Sequence, residues 1–303
     1  MSSPAAPPPL RHIAAATDFS PMAAEAARRA AQLAQAHNAR LSLVHVVSHG
    51  WMDELRTWIT DNTDWQDRLT AQTLERLEAE ARQLDAAGAH PTQPVLIEGN
   101  PVQSLCDAVV GHDIDLLAVG ARGSSPLHHL LGGTTAERLL RKVGCPLLVV
   151  RQAAVHAYRR VLVPLDFSPW SAHAVTLARR VAPEAQLVLL HSFRIPFEEK
   201  LRLAGVDDAT LVHYREKARA EARQRLQDFV LSSGLSAEQH SVCLTEGDAP
   251  PNILTQARER GCDLIVIGKH GRQAAEELLL GSVTKHVVSE AECDVLVSTA
   301  RTA

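Results

Sequence analysis

Short apolar runs alternate along the chain with longer stretches whose apolar positions recur every three or four residues. The runs predict strands at His12–Thr17, Leu41–Val47, Gln93–Ile97, Ile114–Val119 and Pro146–Val150. A second set follows at Arg160–Leu165, Gln186–His191, Ser241–Thr245, Asp263–Ile267 and Asp294–Ser298. Their near-continuous Val, Leu and Ile content suits strands covered on both faces. The segments between them read as helices. Ser20 and Ser168 are placed to cap the first helix of each set, with Pro21 and Pro169 at its first position. Ala23, Ala26, Ala27 and Ala30 are small enough for that helix to lie close on a sheet. The second helix carries a core stripe of Leu74, Leu77, Ala81 and Leu84, and its counterpart one of Tyr214, Ala218, Ala222, Leu226 and Phe229. The charges from Glu75 to Glu80, and Glu276-Glu277, read as solvated helix faces. Alternating strand and helix predicts an α/β fold with parallel sheets.

The two sets are copies. One offset of 148 residues maps Asp18-Phe19-Ser20-Pro21 onto Asp166-Phe167-Ser168-Pro169, Glu98-Gly99 onto Glu246-Gly247, and Asp115-Leu116 onto Asp263-Leu264. It also maps Gly120, Gly123 and Gly133 onto Gly268, Gly271 and Gly281, Thr134 onto Ser282, and Cys145 onto Cys293. His45 pairs with His191 after a two-residue slip. Such register implies a tandem repeat: a disordered Pro/Ala tail over residues 1–9, a first domain over 10–152 and a second over 158–300.

Composition narrows the function. A length of 303 residues suits two domains, each large enough to bury a core. A net charge of -4 argues against nonspecific nucleic-acid binding. No apolar run is long enough to span a bilayer, and the first ten residues lack the pattern of a signal peptide. The five cysteines form no CxxC pair and read as small buried hydrophobes of a reducing compartment, so the expected location is the cytoplasm.

The repeated glycines carry the candidate chemistry. Gly120-Ala121-Arg122-Gly123 is followed after nine residues by Gly133-Thr134, and Gly268-Lys269-His270-Gly271, at the same interval, by Gly281-Ser282. Glycine lets backbone N–H groups approach an anion without a Cβ in the way. Gly133-Thr134 and Gly281-Ser282 open a helix, where unpaired amides and the dipole favour phosphate. The hydroxyl adds a bond to phosphate or to a metal-bound water. The same glycines also serve tight turns and close packing. Asp18 and Asp166 lie at the carboxyl end of the first strand. In an open sheet of order 3-2-1-4-5, strands one and four adjoin where the winding reverses, and ligands bind in that crevice. Each acid can accept from an adenine amino group or a ribose hydroxyl, and can also cap the following helix.

The G-x2-G-x9-G-[ST] pattern, an Asp-Phe-Ser after strand one and a His near the end of strand two resemble the ATP-binding universal stress proteins. The match is especially close from Gly268 to Val288, and it covers nearly the whole chain twice. The resemblance implies two tandem Rossmann-like domains of the adenine nucleotide alpha hydrolase type. Each would be an open five-stranded parallel sheet of order 3-2-1-4-5 with helices on both faces. In that family the acid and a strand-two Val hold adenine, while the glycine loop and its hydroxyl hold ribose and phosphates. The implied ATP contacts, with or without Mg2+, are Asp18, Val46, Gly120, Gly123, Gly133 and Thr134 in the first repeat. In the second they are Asp166, Gly268, Gly271, Gly281 and Ser282. Ser192 stands where Val46 would place an adenine contact, and the loop of the second repeat matches the family more closely. By the same resemblance Pro146–Val150 and Asp294–Ser298 meet within one chain as a pseudo-twofold pair, with a homodimer of chains also open.

No G-x4-G-K-[ST] loop and no G-x-S-x-G elbow occurs. His128-His129 and His45/His49 lack the spacing of a zinc site, and His45 and His191 read as fold features. The expected function is a cytoplasmic stress regulator that binds ATP with little or no turnover and acts on an unidentified protein partner. A nucleotide-free interaction scaffold and a slow ATPase are the alternatives.

Overall fold

The computed structural model describes residues 7–48, 64–86, 91–123, 135–271 and 280–299. They form two compact bodies, one of Pro8–Ala157 joined by the chain from Asp294 onward, the other of Tyr158–Cys293.

The first body is built in the order β1 (His12–Ala16), α1 (Pro21–His37), β2 (Arg40–Val47), α2 (Asp64–Ala86), β3 (Thr92–Glu98), α3 (Pro101–Gly111), β4 (Leu116–Gly120), α4 (Thr135–Lys142) and β5 (Leu147–Val150). The strands lie β3-β2-β1-β4-β5, all parallel, as expected. Ile13, Ala14, Leu117, Ala118 and Leu148 are fully or almost fully buried, the signature of a sheet covered on both sides. Ala26, Ala27 and Ala30 of α1 have no exposed surface, so a stripe without bulk brings the helix down onto the sheet. The core stripe of α2 holds at Leu77, Ala81 and Leu84, but Leu74 is 38% exposed. The sequence periodicity therefore runs one turn beyond the buried stretch of that helix.

Two local devices explain residues that recur in the repeat. Asp115 Oδ2 accepts from the amides of Arg11 and His12 at 2.8 and 3.1 Å, fastening the start of β1 beside β4. Asp263 does the same for Arg159 and Arg160 at 2.8 and 3.2 Å.

The second body comprises β6 (Arg160–Pro164), α5 (Pro169–Val181), β7 (Gln186–Phe193), α6 (Glu198–Leu203), α7 (Asp208–Ser233), β8 (His240–Glu246), α8 (Ala249–Glu259), β9 (Leu264–Gly268) and α9 (Ser282–Glu290). Its strands lie β9-β6-β7-β8, again parallel.

The last strand, β10 (Asp294–Ser298), groups with the first body and pairs antiparallel with β5, Val295 opposite Val149 and Val297 opposite Leu147. The outer edge of β5 is thereby covered. Asp294 fixes the junction. It has no exposed surface, its Oδ1 accepts from the amides of Arg151 and Gln152 at 2.7 and 3.1 Å, and its Oδ2 lies 3.4 Å from Nε of buried Arg29. The offset of the repeat puts Leu177 at the position of Arg29 and Pro146 at that of Asp294, so this charge pair is written into the chain once.

Candidate functional site

Each first strand ends in a strained turn. Phe19 and Phe167 hold φ of 60° and 63°, a left-handed conformation rare for a bulky side chain and costing roughly 1–3 kcal/mol. Side chains on both sides hold it. The Phe19 amide donates to Thr17 Oγ1 at 3.0 Å and the Ser20 amide to Asp18 Oδ1 at 3.0 Å. Ser20 then caps α1 by accepting from the Ala23 amide at 3.2 Å. The acid therefore does help to cap the helix, and its own direction is set by the same bonds.

The strand-two histidines complete the turn. His45 Nδ1 lies 2.7 Å from the Thr17 carbonyl, and because a carbonyl only accepts, Nδ1 carries the proton. Its ring stands 4.4 Å from that of Phe19. His191 repeats both contacts, with Leu165 O at 2.8 Å and the Phe167 ring at 4.3 Å. Burial pushes the His45 pKa below its ordinary value against the opposing pull of the Thr17 carbonyl and Asp18.

The glycine after β4 meets the acid after β1. A Cβ on Gly123 would lie 2.8 Å from Asp18 Oδ2, and one on Gly271 2.9 Å from Asp166 Oδ2. Both separations are closer than carbon and oxygen tolerate, so a side chain at either position would have to push the carboxylate aside. Gly120 serves the packing of α1 instead. A Cβ there would strike the Met22 carbonyl carbon at 2.8 Å, so its lack of one lets the helix close on the end of β4.

In the first body these residues rim a cavity of about 290 Å³. Asp18, Val46, Gly120 and Gly123 line it together with His45, exposed Arg122 and the apolar walls of Leu105 and Leu139. Four of the six residues expected for the first repeat are thus brought together. The other two, Gly133 and Thr134, lie outside the described residues, as do His49, His128-His129 and Glu276-Glu277. In the second body Asp166, Gly268 and Gly271 are gathered at the same sheet end. Gly281 precedes α9, and Ser282 is that helix's first residue.

Three participants were not anticipated from sequence. Glu80 is half-buried rather than solvated, with both carboxylate oxygens 3.3–3.4 Å from Thr17 Oγ1, and loss of water raises its pKa above the ordinary 4.5. The Arg76 guanidinium sits 4.3 Å over the Phe19 ring. Ser171 Oγ donates to Asp166 Oδ1 at 2.6 Å and accepts from the Asp166 amide at 3.0 Å. Glu80 shares the helical spacing of Arg76, a signal readable only once Phe19 is known to face α2.

Parallel strands flanked by helices, with a carboxylate and a glycine-rich turn at the carboxyl end of adjoining strands, define a Rossmann-like class of α/β protein. The model of the universal stress protein family matches residues 9–151 and again 157–299, and the chain belongs to that family. It is 27% identical over 279 residues to universal stress protein Rv2005c of Mycobacterium tuberculosis, spanning 86% of this chain and 88% of that protein. Universal stress protein A homolog 2 of Coxiella burnetii is 33% identical over 144 residues, 46% of this chain and 93% of that protein. Among solved structures, a universal stress protein from Archaeoglobus fulgidus superposes with a TM-score of 0.68 at 19% identity, covering 96% of this chain and 98% of that one.

Proposed function

We propose that the chain binds ATP at the crevice between the first and fourth strands of a repeat and acts as a cytoplasmic stress-response regulator with little or no turnover. The observation that carries this reading is the contact of the Asp18 carboxylate with Gly123 at the rim of an open cavity. The residues fit the ligand in kind. Leu105, Leu139 and Val46 offer apolar walls to a base, Asp18 accepts from an amino group or a ribose hydroxyl, and Arg122 stands exposed on the loop for phosphate. A volume of about 290 Å³ is at the lower edge of ligand pockets, roughly 300–1,000 Å³, and suits the nucleoside part. The phosphates, with or without Mg2+, are assigned to Gly133 and Thr134. The cytoplasmic assignment rests on the cysteines: all five are free thiols, Cys145, Cys243, Cys262 and Cys293 buried and Cys106 half-buried, and burial pushes the Cys262 thiol up to about 11. Among the described residues no helix is long and apolar enough to cross a membrane.

The test is direct. Protein is heated and the released small molecules are chromatographed, beside a calorimetric titration with ATP. Near-stoichiometric adenine nucleotide, or saturable heat, supports the reading. A clean extract with no response to ATP leaves an interaction scaffold. Phosphate release that disappears in Gly123→Val would mark the chain as an ATPase.

A further inference from the structure

The second body keeps a sheet edge that the first body blunts. β3 and β8 are the outermost strands, and each bonds its neighbour with every other residue. The Gly99 amide donates inward to the Val47 carbonyl at 3.0 Å. In β8 the Gln239 carbonyl accepts from the Leu187 amide at 3.0 Å, and the Gly247 amide donates to the Phe193 carbonyl at 2.9 Å. The main-chain groups of Thr92, Pro94, Leu96 and Glu98 therefore point to the open edge of β3, and those of His240, Val242, Leu244 and Glu246 to the open edge of β8.

On β3 two of these donors are removed. Pro94 has no amide hydrogen, and the Thr92 amide is taken by Asp85 Oδ1 of α2 at 2.8 Å. The repeat puts Val242 at the position of Pro94 and Ser233 at that of Asp85. Val242 is 53% exposed, and Ser233 turns its hydroxyl back to the Val230 carbonyl at 2.7 Å. Among the described residues no strand pairs with the outer side of β8. An edge that keeps its donors is a template for another strand.

The residues of β8 select the strand that fits. His240-Ser241-Val242-Cys243-Leu244-Thr245-Glu246 is complementary to itself when reversed about Cys243. Val242 falls opposite Leu244, one apolar group against another. Ser241 falls opposite Thr245, hydroxyl to hydroxyl, and His240 opposite Glu246, a base against an acid. Each is a favourable cross-strand pair. The same reversal of β3 sets Gln93 against Ile97 and Pro94 against Leu96.

We propose that β8 pairs antiparallel with β8 of a second copy of this chain, about a twofold axis beside Cys243. Val242 and Leu244 exchange main-chain bonds across that axis, and the Glu246 amide reaches the His240 carbonyl of the other copy. The Glu246 carbonyl already accepts from Asn252 Nδ2 at 3.1 Å, which ends the ladder there. The contact uses the same patch on both copies, so it closes at two chains.

Sedimentation equilibrium of the full-length chain gives a reversible dimer whose share grows between about 1 and about 100 μM. Amide exchange in residues 240–246 slows as the dimer forms and is unchanged in 92–98, a readout that needs no variant. Val242→Pro gives β8 the edge residue of β3. It raises the dissociation constant about tenfold or more, while the far-UV dichroism stays that of the parent. Val242→Lys sets a charge on the same edge, has the same effect, and serves where the proline variant does not fold. A chain that stays monomeric, a dimer unmoved by either Val242 variant, or exchange in 240–246 that does not change with concentration overturns the proposal. Exchange there that slows only when a different protein is added gives the edge to that protein, and also overturns it.

Discussion

His45 Nδ1 donates to the Thr17 carbonyl at 2.7 Å, so the second strand grips the residue immediately before the acid. With the Phe19 ring 4.4 Å away, this bond holds a left-handed turn that a phenylalanine does not adopt unaided. His45→Leu should lower stability by about 1–2 kcal/mol through the lost bond and ring contact. It should weaken ATP binding more than its stability effect suggests, because Asp18 loses its aim. Urea unfolding and calorimetry on the same protein separate the two effects.

Buried histidines make the fold acid-sensitive. Burial lowers the pKa of both His12 and His45 from 6.5, so each stays neutral in the folded chain while the unfolded chain takes up protons first. A depressed histidine leaves stability intact above pH 6.5 and erodes it as pH falls below that value toward the folded pKa. Thermal midpoints should therefore hold from pH 8 to about 6.5 and decline below. His45→Gln should flatten part of that decline, and an unchanged slope would contradict the assignment.

Glu80 has the opposite sign. Its folded pKa is raised by burial, so its contribution to stability is fully present only below the unfolded pKa and is lost as pH rises through the folded one. At neutral pH the half-buried charge is a burden. Glu80→Gln keeps an oxygen for Thr17 and removes the charge. It should raise the thermal midpoint at pH 7, with the gain shrinking toward pH 4. Melting curves across that range decide it.

Gly123→Val places a branched side chain where even a Cβ would lie 2.8 Å from Asp18 Oδ2. The strained fit should cost about 1–3 kcal/mol of stability and abolish nucleotide binding. Retained affinity in calorimetry would mean that the loop yields without disturbing the acid.

The buried pair of Arg29 and Asp294 ties β10 into the first body. Asp294→Ala takes the countercharge from buried Arg29 and the acceptor from two amides, and should cost roughly 3–5 kcal/mol. The double variant Arg29→Leu with Asp294→Ala should recover part of that loss. Denaturant midpoints of the three variants give the coupling.

Most of the fold was legible because it is written locally. Strand positions followed from apolar runs, and Ser20, Ser168 and their prolines announced the helix starts, since a cap needs only its own next three residues. Asp18 and Gly123 could be nominated because the winding of a parallel sheet brings the ends of strands one and four together. Glu80 was misjudged as solvated, because its burial depends on a side chain from the turn after β1. Ser171 went unnoticed for a similar reason. A serine three residues into a helix looks ordinary until its hydroxyl is found on Asp166.

The amino-acid sequence alone determined that this chain is a repeated parallel α/β unit with an acid and a glycine loop in each copy, because periodicity, capping and glycine's missing side chain act within a few residues. Only the tertiary structure decided that Asp294 pairs with Arg29, that Glu80 lies against Thr17, and that the Ser171 hydroxyl bonds Asp166. Those outcomes depend on where a buried charge or hydroxyl finds its partner in space, and no local pattern encodes that.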